Sequence, residues 1–305
     1  MIIKIFMHLM PWELDDAFQA FSKIASIKRN LSVGDELRID TCLNLSSYII
    51  NWEKSSLPKN LFIEKYNYIN KILHEFTCNT LIYDQSELYG HLDFQRELVD
   101  TNVDYYMSIC PDVYFHPHTI YYLIESAKQV KDKYFLITPQ IPQLWDSSWN
   151  MLVNEKFIDG NYENWENQNI HEIIYKSEHL NGNIEIQKTP EFKWAGWFDL
   201  YNKNFYEDLV PCFDNWHGYG PWDFFGINVC NLAKQKFKVN VEEYVLKNQI
   251  IFDKDIGIYQ NKKIQSPYKK YLYLNNIPNQ RINFEQNLTN YIGQWINHAK
   301  NKNII

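Results

Sequence analysis

The sequence predicts an α/β fold, in which a mainly parallel sheet is flanked by helices and followed by a helical C-terminal extension. Over residues 1–140, short apolar or alternating runs typical of strands alternate with segments whose apolar residues recur three and four positions apart, as in helices. This alternation is typical of parallel sheets whose strands are connected by helices. With 305 residues, 45% of them hydrophobic, the chain can bury a core without disulfides or a metal.

The predicted strands are short and bounded by polar or turn-forming residues. They are, in chain order, IIKIFM at 2–7, ELRIDTCLNL at 36–45, TLIYD at 80–84, VDYYMSIC at 103–110 and YFLITP at 134–139. In open parallel sheets, ligands bind beyond the carboxyl ends of the strands. Polar residues that directly follow these runs are therefore candidates for a site.

The predicted helices lie between these strands and at the end of the chain. Their apolar positions are Leu14, Ala17, Phe18, Phe21, Ile24 and Ala25; Phe62, Tyr66, Ile69, Leu73 and Phe76; Ile120, Leu123, Ile124, Ala127 and Val130; and Phe284, Leu288, Ile292, Trp295 and Ala299. DFQRELV at 93–99 predicts a further short helix. Residues 141–169 lose clean periodicity and are rich in Asn, Trp and Asp, which predicts a long or irregular loop over the site.

Charge and cysteine content limit the classes of partner and compartment. The net charge of −7, with dispersed Lys and Arg, disfavours a nucleic-acid partner. The five cysteines form no CxxC pair and are odd in number, so we expect a reducing compartment, the cytoplasm. No run of ~18 apolar residues occurs, so we expect no transmembrane segment; peripheral membrane contact is left open.

The segment ICPDVYFHPH, residues 109–118, places an acid just past a predicted strand. Asp112 has the position at which α/β proteins hold metal or phosphate ligands, but it also fits an ordinary turn after Pro111. His116 and His118 are two residues apart, a spacing that on a strand would suit a shared metal. Pro117 between them spoils that geometry and favours a helix start, which the two histidines would flank.

The segment WHGYGPWDFFGIN, residues 216–228, places a second acid at a predicted helix start. Pro221 at the first helical position leaves Asp223 in the first turn, where the helix dipole stabilises an ionised carboxylate. Gly218 and Gly220 let the backbone approach a ligand. Aromatic residues in and before the segment offer flat faces that suit a sugar ring, namely Trp197, Trp216, Tyr219 and Trp222. The alternative is that Asp223 only caps its helix and that the aromatic residues belong to the core.

In order and context, these segments resemble a GT-A glycosyltransferase of the family-2-like class, with a degenerate DxD motif. ICPDVYF resembles the DxD segment, whose last aspartate binds the metal that bridges the diphosphate of the donor. The stretch from WAGWFDLYN to HGYGPWDFF resembles the acceptor segment, which ends in a Glu-Asp pair whose aspartate is the general base of inverting members. The resemblance therefore implies that Asp112 is a metal ligand and Asp223 the base. Cys110 replaces the first aspartate of DxD, and Trp222 replaces the glutamate.

The resemblance spans about residues 1–240 and also implies donor contacts. Pro11 and Glu13 follow the first strand at the start of the nucleotide pocket, Asp84 could accept from the imide N–H of a uracil, and the guanidinium of Arg96 suits a diphosphate. Surface or salt-bridge roles explain these residues equally well. We divide the chain into a GT-A domain at 1–240, with a nucleotide-sugar-binding half at 1–140 and an acceptor half at 141–240, and a C-terminal extension at 241–305 packed on the core.

The activity that the resemblance implies is transfer of a sugar from a nucleotide-sugar donor to a saccharide hydroxyl, inverting and assisted by Mn²⁺ or Mg²⁺. Two alternatives stay open. A sugar nucleotidyltransferase usually has a glycine-rich basic loop after the first strand, whereas HLMPWELDD, residues 8–16, is acidic and has no glycine. The incomplete DxD also suits a catalytically weak carbohydrate-binding or scaffold protein derived from a transferase.

Overall fold

A computed structural model describes most of the chain. The described residues are 1–46, 58–85, 91–98, 100, 102–140, 143–145, 151–153, 184–190, 192, 196, 198–211, 222–253 and 277–305. The strands are β1 (Ile2–Leu9), β2 (Glu36–Asn44), β3 (Thr77–Tyr83), β4 (Tyr105–Ile109), β5 (Val113–Tyr114), β6 (Tyr134–Gln140), β7 (Gln143–Trp145), β8 (Met151–Val153), β9 (Ile186–Lys188), β10 (Phe198–Asn202), β11 (Val241–Ile250) and β12 (Phe252–Asp253). The α-helices are α1 (Leu14–Ile27), α2 (Lys59–Asn70), α3 (His91–Glu97), α4 (His118–Ala127), α5 (Trp222–Gln235) and α6 (Ile277–Asn301).

The main sheet has 8 strands in the order β3-β2-β1-β4-β10-β6-β11-β9. All of them run in one direction except β9 and β10, which are antiparallel to their neighbours. The predicted class, a mainly parallel sheet flanked by helices and followed by a C-terminal helix, is confirmed. Two short antiparallel pairs, β5 with β12 and β7 with β8, lie outside this sheet.

Both faces of the sheet are covered, because successive side chains of a strand point to opposite faces. On the face that we call the α1 face, Ile3, Ile5 and Met7 of β1 pack with residues of α1, α2 and α4. On the opposite α5 face, Phe6 packs with residues of α3, α5 and α6. The rings of Phe6 and Tyr106 stack there, with centroids 5.8 Å apart.

The five predicted strands are confirmed, with ends that move by a few residues; β3, for example, begins at Thr77 rather than at residue 80. The predicted helices are present as α1, α2, α3, α4 and α6. Residues 143–145 and 151–153 pair as a small hairpin, and the rest of the predicted 141–169 loop lies outside the described residues. Among the helices that the structure describes, none combines the length and the apolar character that crossing a membrane requires.

Two central strands were not predicted, β10 and β11. β10 has only five residues, FDLYN, and its alternation is too short to stand out from the aromatic sequence before it. β11 contains Glu242 and Glu243, and Glu243 is nevertheless only 1% exposed. The division at residue 240 stays a prediction, although β11, which follows it, pairs with both β6 and β9 inside the sheet.

Candidate functional site

The candidate site is the edge at which the parallel strands end, which we call the carboxyl edge. The last residues of these strands are Leu9 of β1, Asn44 of β2, Tyr83 of β3, Ile109 of β4, Gln140 of β6 and Ile250 of β11. The antiparallel strand β10 begins at the same edge, since Phe198 pairs with Ile109. Strand ends that lie between residue 9 and residue 250 of the sequence therefore meet here.

Polar side chains are concentrated just inside this edge, on the α5 face. We call this set the polar row; it consists of His8, Asn44, Ser108, Asp199 and Gln140, and each is less than 9% exposed. Ser108 pairs with Phe6 on one side and with Asp199 on the other, so the three side chains share one face. Burying polar groups costs free energy unless they are hydrogen-bonded, so a row of them is not what packing alone favours. Such a cluster at the strand ends is typical of a ligand site.

The polar row was not predicted from the sequence, although a signal for it exists. Each member lies within the last few residues of a parallel strand or, for Asp199, at the start of β10. His8 stacks on Phe94 of α3, with ring centroids 6.0 Å apart, which fixes the imidazole under this edge. The signal for Asp199 depended on recognising β10.

The first turn of α5, which carries Asp223, points to the same edge. At the other end of this helix, Lys234 Nζ lies 2.7 Å from a carboxylate oxygen of Glu242, near the start of β11. A helix of this length spans about 21 Å, so its N-terminus reaches the carboxyl edge. Asp223 is the second residue of α5, in the predicted position. The structure does not describe the side chains of Asp223 and Trp222. Trp197, Trp216 and Tyr219 lie outside the described residues.

Asp112 lies in the turn between β4 and β5 at the carboxyl edge and is half-buried. The amide of Val113 donates to the carbonyl of Cys110 at 3.4 Å, which closes the turn, and β5 then pairs with β12. Val113 and Phe115 turn into the α1 face. Asp112 and the first turn of α5 therefore approach one edge from opposite faces of the sheet; a cleft shared by the two carboxylates stays a prediction.

Pro11 and Glu13 form a short 3-10 helix, Pro11–Glu13, directly after β1. A carboxylate oxygen of Glu13 accepts a hydrogen bond from the backbone N–H of Met10 at 2.7 Å. This bond holds the turn that leaves β1 at the carboxyl edge. Both residues directly follow the first strand, and their contact with a donor stays a prediction.

Asp84 and Arg96 each have an ion-pair partner. Asp84 directly follows β3 and pairs with Lys59 at the start of α2, and the two side chains are 44% and 40% exposed. Arg96 Nη2 lies 3.0 Å from a carboxylate oxygen of Asp93, one turn earlier in α3. Asp84 is at the carboxyl edge, whereas Arg96 is the second to last residue of α3 (His91–Glu97), the helix that packs over the α5 face. Donor binding by either residue stays a prediction.

The two histidines flank a helix start, as predicted. The backbone N–H of His118, the first residue of α4, donates to Nδ1 of His116 at 3.1 Å. Within the described ranges, no group of three or more His, Cys, Asp or Glu side chains is arranged to hold a metal ion. A divalent ion at Asp112 would therefore need further oxygen ligands from a bound diphosphate and water, as Mg²⁺ commonly has.

No protein-family model matches the sequence, and no curated protein has significant sequence similarity to it. Among solved structures, the chain is similar to GalNAc-T7 with UDP, GalNAc and Mn²⁺, at 10% identity over 83% of this chain and 43% of that chain, with a TM-score of 0.45. It is also similar to residues 1–349 of TarS from S. aureus, at 9% identity over 85% of this chain and 63% of that chain, with a TM-score of 0.43. A third is UDP-glucose pyrophosphorylase complexed with UDP-glucose, at 10% identity over 88% of this chain and 100% of that chain, with a TM-score of 0.38. The chain spans less than two thirds of the length of the first two.

Proposed function

We propose that the chain is a GT-A glycosyltransferase that moves a sugar from a nucleotide-sugar donor to a saccharide hydroxyl with inversion, in the cytoplasm. The observation that supports it is the common edge: the turn with Asp112 and the helix start with Asp223 lie about 110 residues apart in sequence, yet both are at the carboxyl edge. Ligands of parallel sheets bind at that edge. The polar row beneath it supplies the buried polar surface that a polar donor requires.

Asp223 is the general base in this proposal. The free N–H groups of the first turn of α5 and the helix dipole stabilise its carboxylate, so it is ready to accept a proton. It removes the proton of the acceptor hydroxyl as that oxygen attacks the anomeric carbon, and the diphosphate leaves from the opposite side. A positioned base contributes roughly 10²- to 10⁴-fold to the rate.

Asp112 would hold Mn²⁺ or Mg²⁺ together with oxygens of the diphosphate. The ion, when bound, neutralises the charge that develops on the leaving group. Pro11 and Glu13 line the donor pocket after β1. Asp84 contacts the nucleobase of the donor, and Arg96 contacts its diphosphate. Trp197, Trp216, Tyr219 and Trp222 form the apolar surface on which the acceptor sugar lies.

The test of the base is Asp223→Asn, assayed for transfer and for nucleotide binding. We expect transfer to fall by at least about 100-fold, because the amide cannot accept the proton, while binding of the nucleotide and the fold are retained. Asp15→Asn is the matched control, since Asp15 is also in the first turn of a helix, is 85% exposed and pairs only with the exposed Lys65 within the described residues. Wild-type turnover in Asp223→Asn would remove the base assignment.

The products separate this proposal from its alternatives. UDP-, GDP- and CMP-sugars are incubated with saccharides, with and without Mn²⁺, and the nucleotide products are measured. Release of the nucleoside phosphate with glycoside formation supports the transferase. Pyrophosphate release from a nucleoside triphosphate and a sugar phosphate indicates a nucleotidyltransferase, and saccharide binding with neither product indicates a scaffold.

A further inference from the structure

The two edges of the main sheet differ in how well they are protected from pairing with another strand. β9, at one edge, has only three residues, and Pro190 follows it closely. Its Lys188 lies 3.5 Å from both Asp132 and Glu242. Short length, charge and proline are the features that keep an edge strand from pairing with another chain.

β3, at the opposite edge, has none of these features. Its seven residues, TCNTLIY, include no charged residue and no proline. Within the part of the chain that the structure describes, β3 pairs only with β2. Thr77, Asn79 and Thr80 are exposed, and no described residue pairs with the outer side of β3. A long, uncharged, open edge is a template for strand addition.

The backbone groups available on β3 can be identified from its pairing with β2. The N–H of Leu45 donates to the carbonyl of Tyr83 at 2.7 Å, so the polar groups of Tyr83 face β2. The backbone N–H and C=O groups of successive residues point alternately to the two sides of a strand. Those of Cys78, Thr80 and Ile82 therefore face outward, away from β2. Thr80 is the middle residue of this outward set. An antiparallel partner centred on it would pair with the whole set.

We propose that the outer edge of β3 is a dimer interface, at which β3 of a second copy of this chain pairs antiparallel about a two-fold axis at Thr80. Thr80 then lies opposite Thr80, and Cys78 lies opposite Ile82, so every outward N–H and carbonyl gains a partner. Such self-pairing is the isologous contact of a two-fold dimer. Opposed threonines are also a favourable cross-strand pair.

Charge at the ends of β3 favours a second copy in this antiparallel direction. Lys28 lies at the amino end, with Nζ 3.1 Å from the carbonyl oxygen of Glu75 and 5.1 Å from the ring centre of Phe76. Asp84 lies at the carboxyl end, where its side chain is 44% exposed. The pairing centred on Thr80 places Asp84 of each copy opposite Phe76 of the other. The Asp84 carboxylate of one copy, which also pairs with Lys59 of its own chain, therefore lies toward the Lys28 ammonium of the other, twice in the dimer.

The mass in solution tests the proposal independently of any enzymatic activity. We expect the wild type to shift from 36.7 kDa toward twice that mass as its concentration rises. The rise is expected between about 1 and 100 µM, the range of a small interface. Thr80→Pro removes an outward N–H without touching the bonds to β2, and Thr80→Lys places like charges together at the axis; both are expected to stay at 36.7 kDa. Thr80→Val keeps the backbone and the branched shape and is expected to dimerise like the wild type.

An engineered disulfide tests the proposed strand register. Opposed residues of an antiparallel pair are close enough for a disulfide, so Thr80→Cys should form a cross-linked dimer on mild oxidation. In the wild type, Cys78 lies opposite Ile82 and no cross-link is expected at this edge. Circular dichroism confirms that each variant is folded. A wild type that stays at 36.7 kDa at about 100 µM, or a folded Thr80→Lys that dimerises as the wild type does, would overturn the proposal.

Discussion

Lys4 and Asp40 form an ion pair between β1 and β2 that is almost completely buried. Lys4 Nζ lies 2.6 Å from an Asp40 carboxylate oxygen, and the two side chains are 4% and 0% exposed. Lys4 also donates to the carbonyl of Leu98, just after α3, and Asn79 donates to Asp40 at 2.7 Å. The pair therefore ties α3, which carries Arg96, to the sheet. Burial raises the pKa of the Asp40 carboxyl above its ordinary value of 3.8, although Lys4 and Asn79 oppose the shift.

Removal of the Lys4 ammonium should lower the stability of the fold strongly, and by an amount that depends on pH. Lys4→Met leaves a buried carboxylate without its counter-ion, so we expect the free energy of unfolding at pH 7 to fall by roughly 3–5 kcal/mol. A raised pKa means that the folded chain holds the proton more tightly than the unfolded chain, so stability is lost as pH rises above about 3.8 through the raised pKa of Asp40. Lys4→Met raises that pKa further, so the decrease in the free energy of unfolding that this substitution causes should be smaller at pH 5 than at pH 7. Urea unfolding at both pH values measures this.

The control for this residue pair is an exposed one. Lys65 Nζ lies 2.7 Å from Asp15, but the two side chains are 43% and 85% exposed. Lys65→Met should change the free energy of unfolding by less than about 1 kcal/mol, because exposed pairs are screened by solvent. Similar losses in Lys4→Met and Lys65→Met would contradict the argument from burial.

At single positions, the sequence predicts those features that depend only on neighbouring residues in the chain. Proline and helix-start rules were enough to place His118 at the start of α4 and Asp223 in the first turn of α5. They did not predict the partners that the fold brings from distant segments, such as Lys59 for Asp84. Asp199 was missed for the same reason, since its burial depends on β10 lying between β4 and β6.

The C-terminal helix α6 packs as an element against the α5 face. Trp295 is fully buried, and its indole N–H donates to the carbonyl of Asp208 at 3.2 Å. Asp208 belongs to a short π-helix, Phe205–Leu209, that follows β10. Ala299 is buried in the same cluster, and Lys302 lies 3.5 Å from Asp208. The apolar stripe of the sequence predicted this packing correctly, because it depends on helical spacing alone.

Two substitutions separate the contributions to this docking. Trp295→Phe keeps most of the buried ring but loses the hydrogen bond and leaves a buried carbonyl without its donor, so we expect a loss of about 1–3 kcal/mol. Trp295→Ala also empties the ring volume, and about 3–5 kcal/mol is expected. Chemical denaturation measures both, and Lys300→Ala, at an exposed position of the same helix, should have little effect. Equal losses in the two tryptophan variants would show that the buried volume contributes nothing.

Strands were harder to predict than helices in this chain. The parallel strands β1 to β4 and β6 are apolar enough to be recognised, because both faces of the sheet are covered. β11 carries Glu242 and Glu243, and its hydrophobic pattern is interrupted although Val241, Tyr244 and Leu246 are buried. Its place in the sheet follows from pairing with β6, which is a long-range property.

At the scale of the whole molecule, two cores share one set of strands. Ile5 and Phe6 are neighbours in β1, and each is fully buried in a different core. The class of fold was predicted from alternation along the chain, and the division at residue 240 stays a prediction. β11 begins at residue 241 and lies between β6 and β9, and α6 closes the α5 face.

A fragment that ends at residue 240 tests how separable the two parts are. It lacks the buried residues of β11 and α6, among them Val241, Leu246 and Trp295, and it leaves β6 as an unpaired edge. We expect the fragment to show no cooperative unfolding transition and to bind a hydrophobic dye, because both cores are left open. A chain that ends at residue 276 keeps β11 and loses only α6, so it should keep a transition at lower stability. If the 1–240 fragment unfolds cooperatively with a native near-UV spectrum, residues 1–240 form an autonomous domain and β11 is an accessory to it.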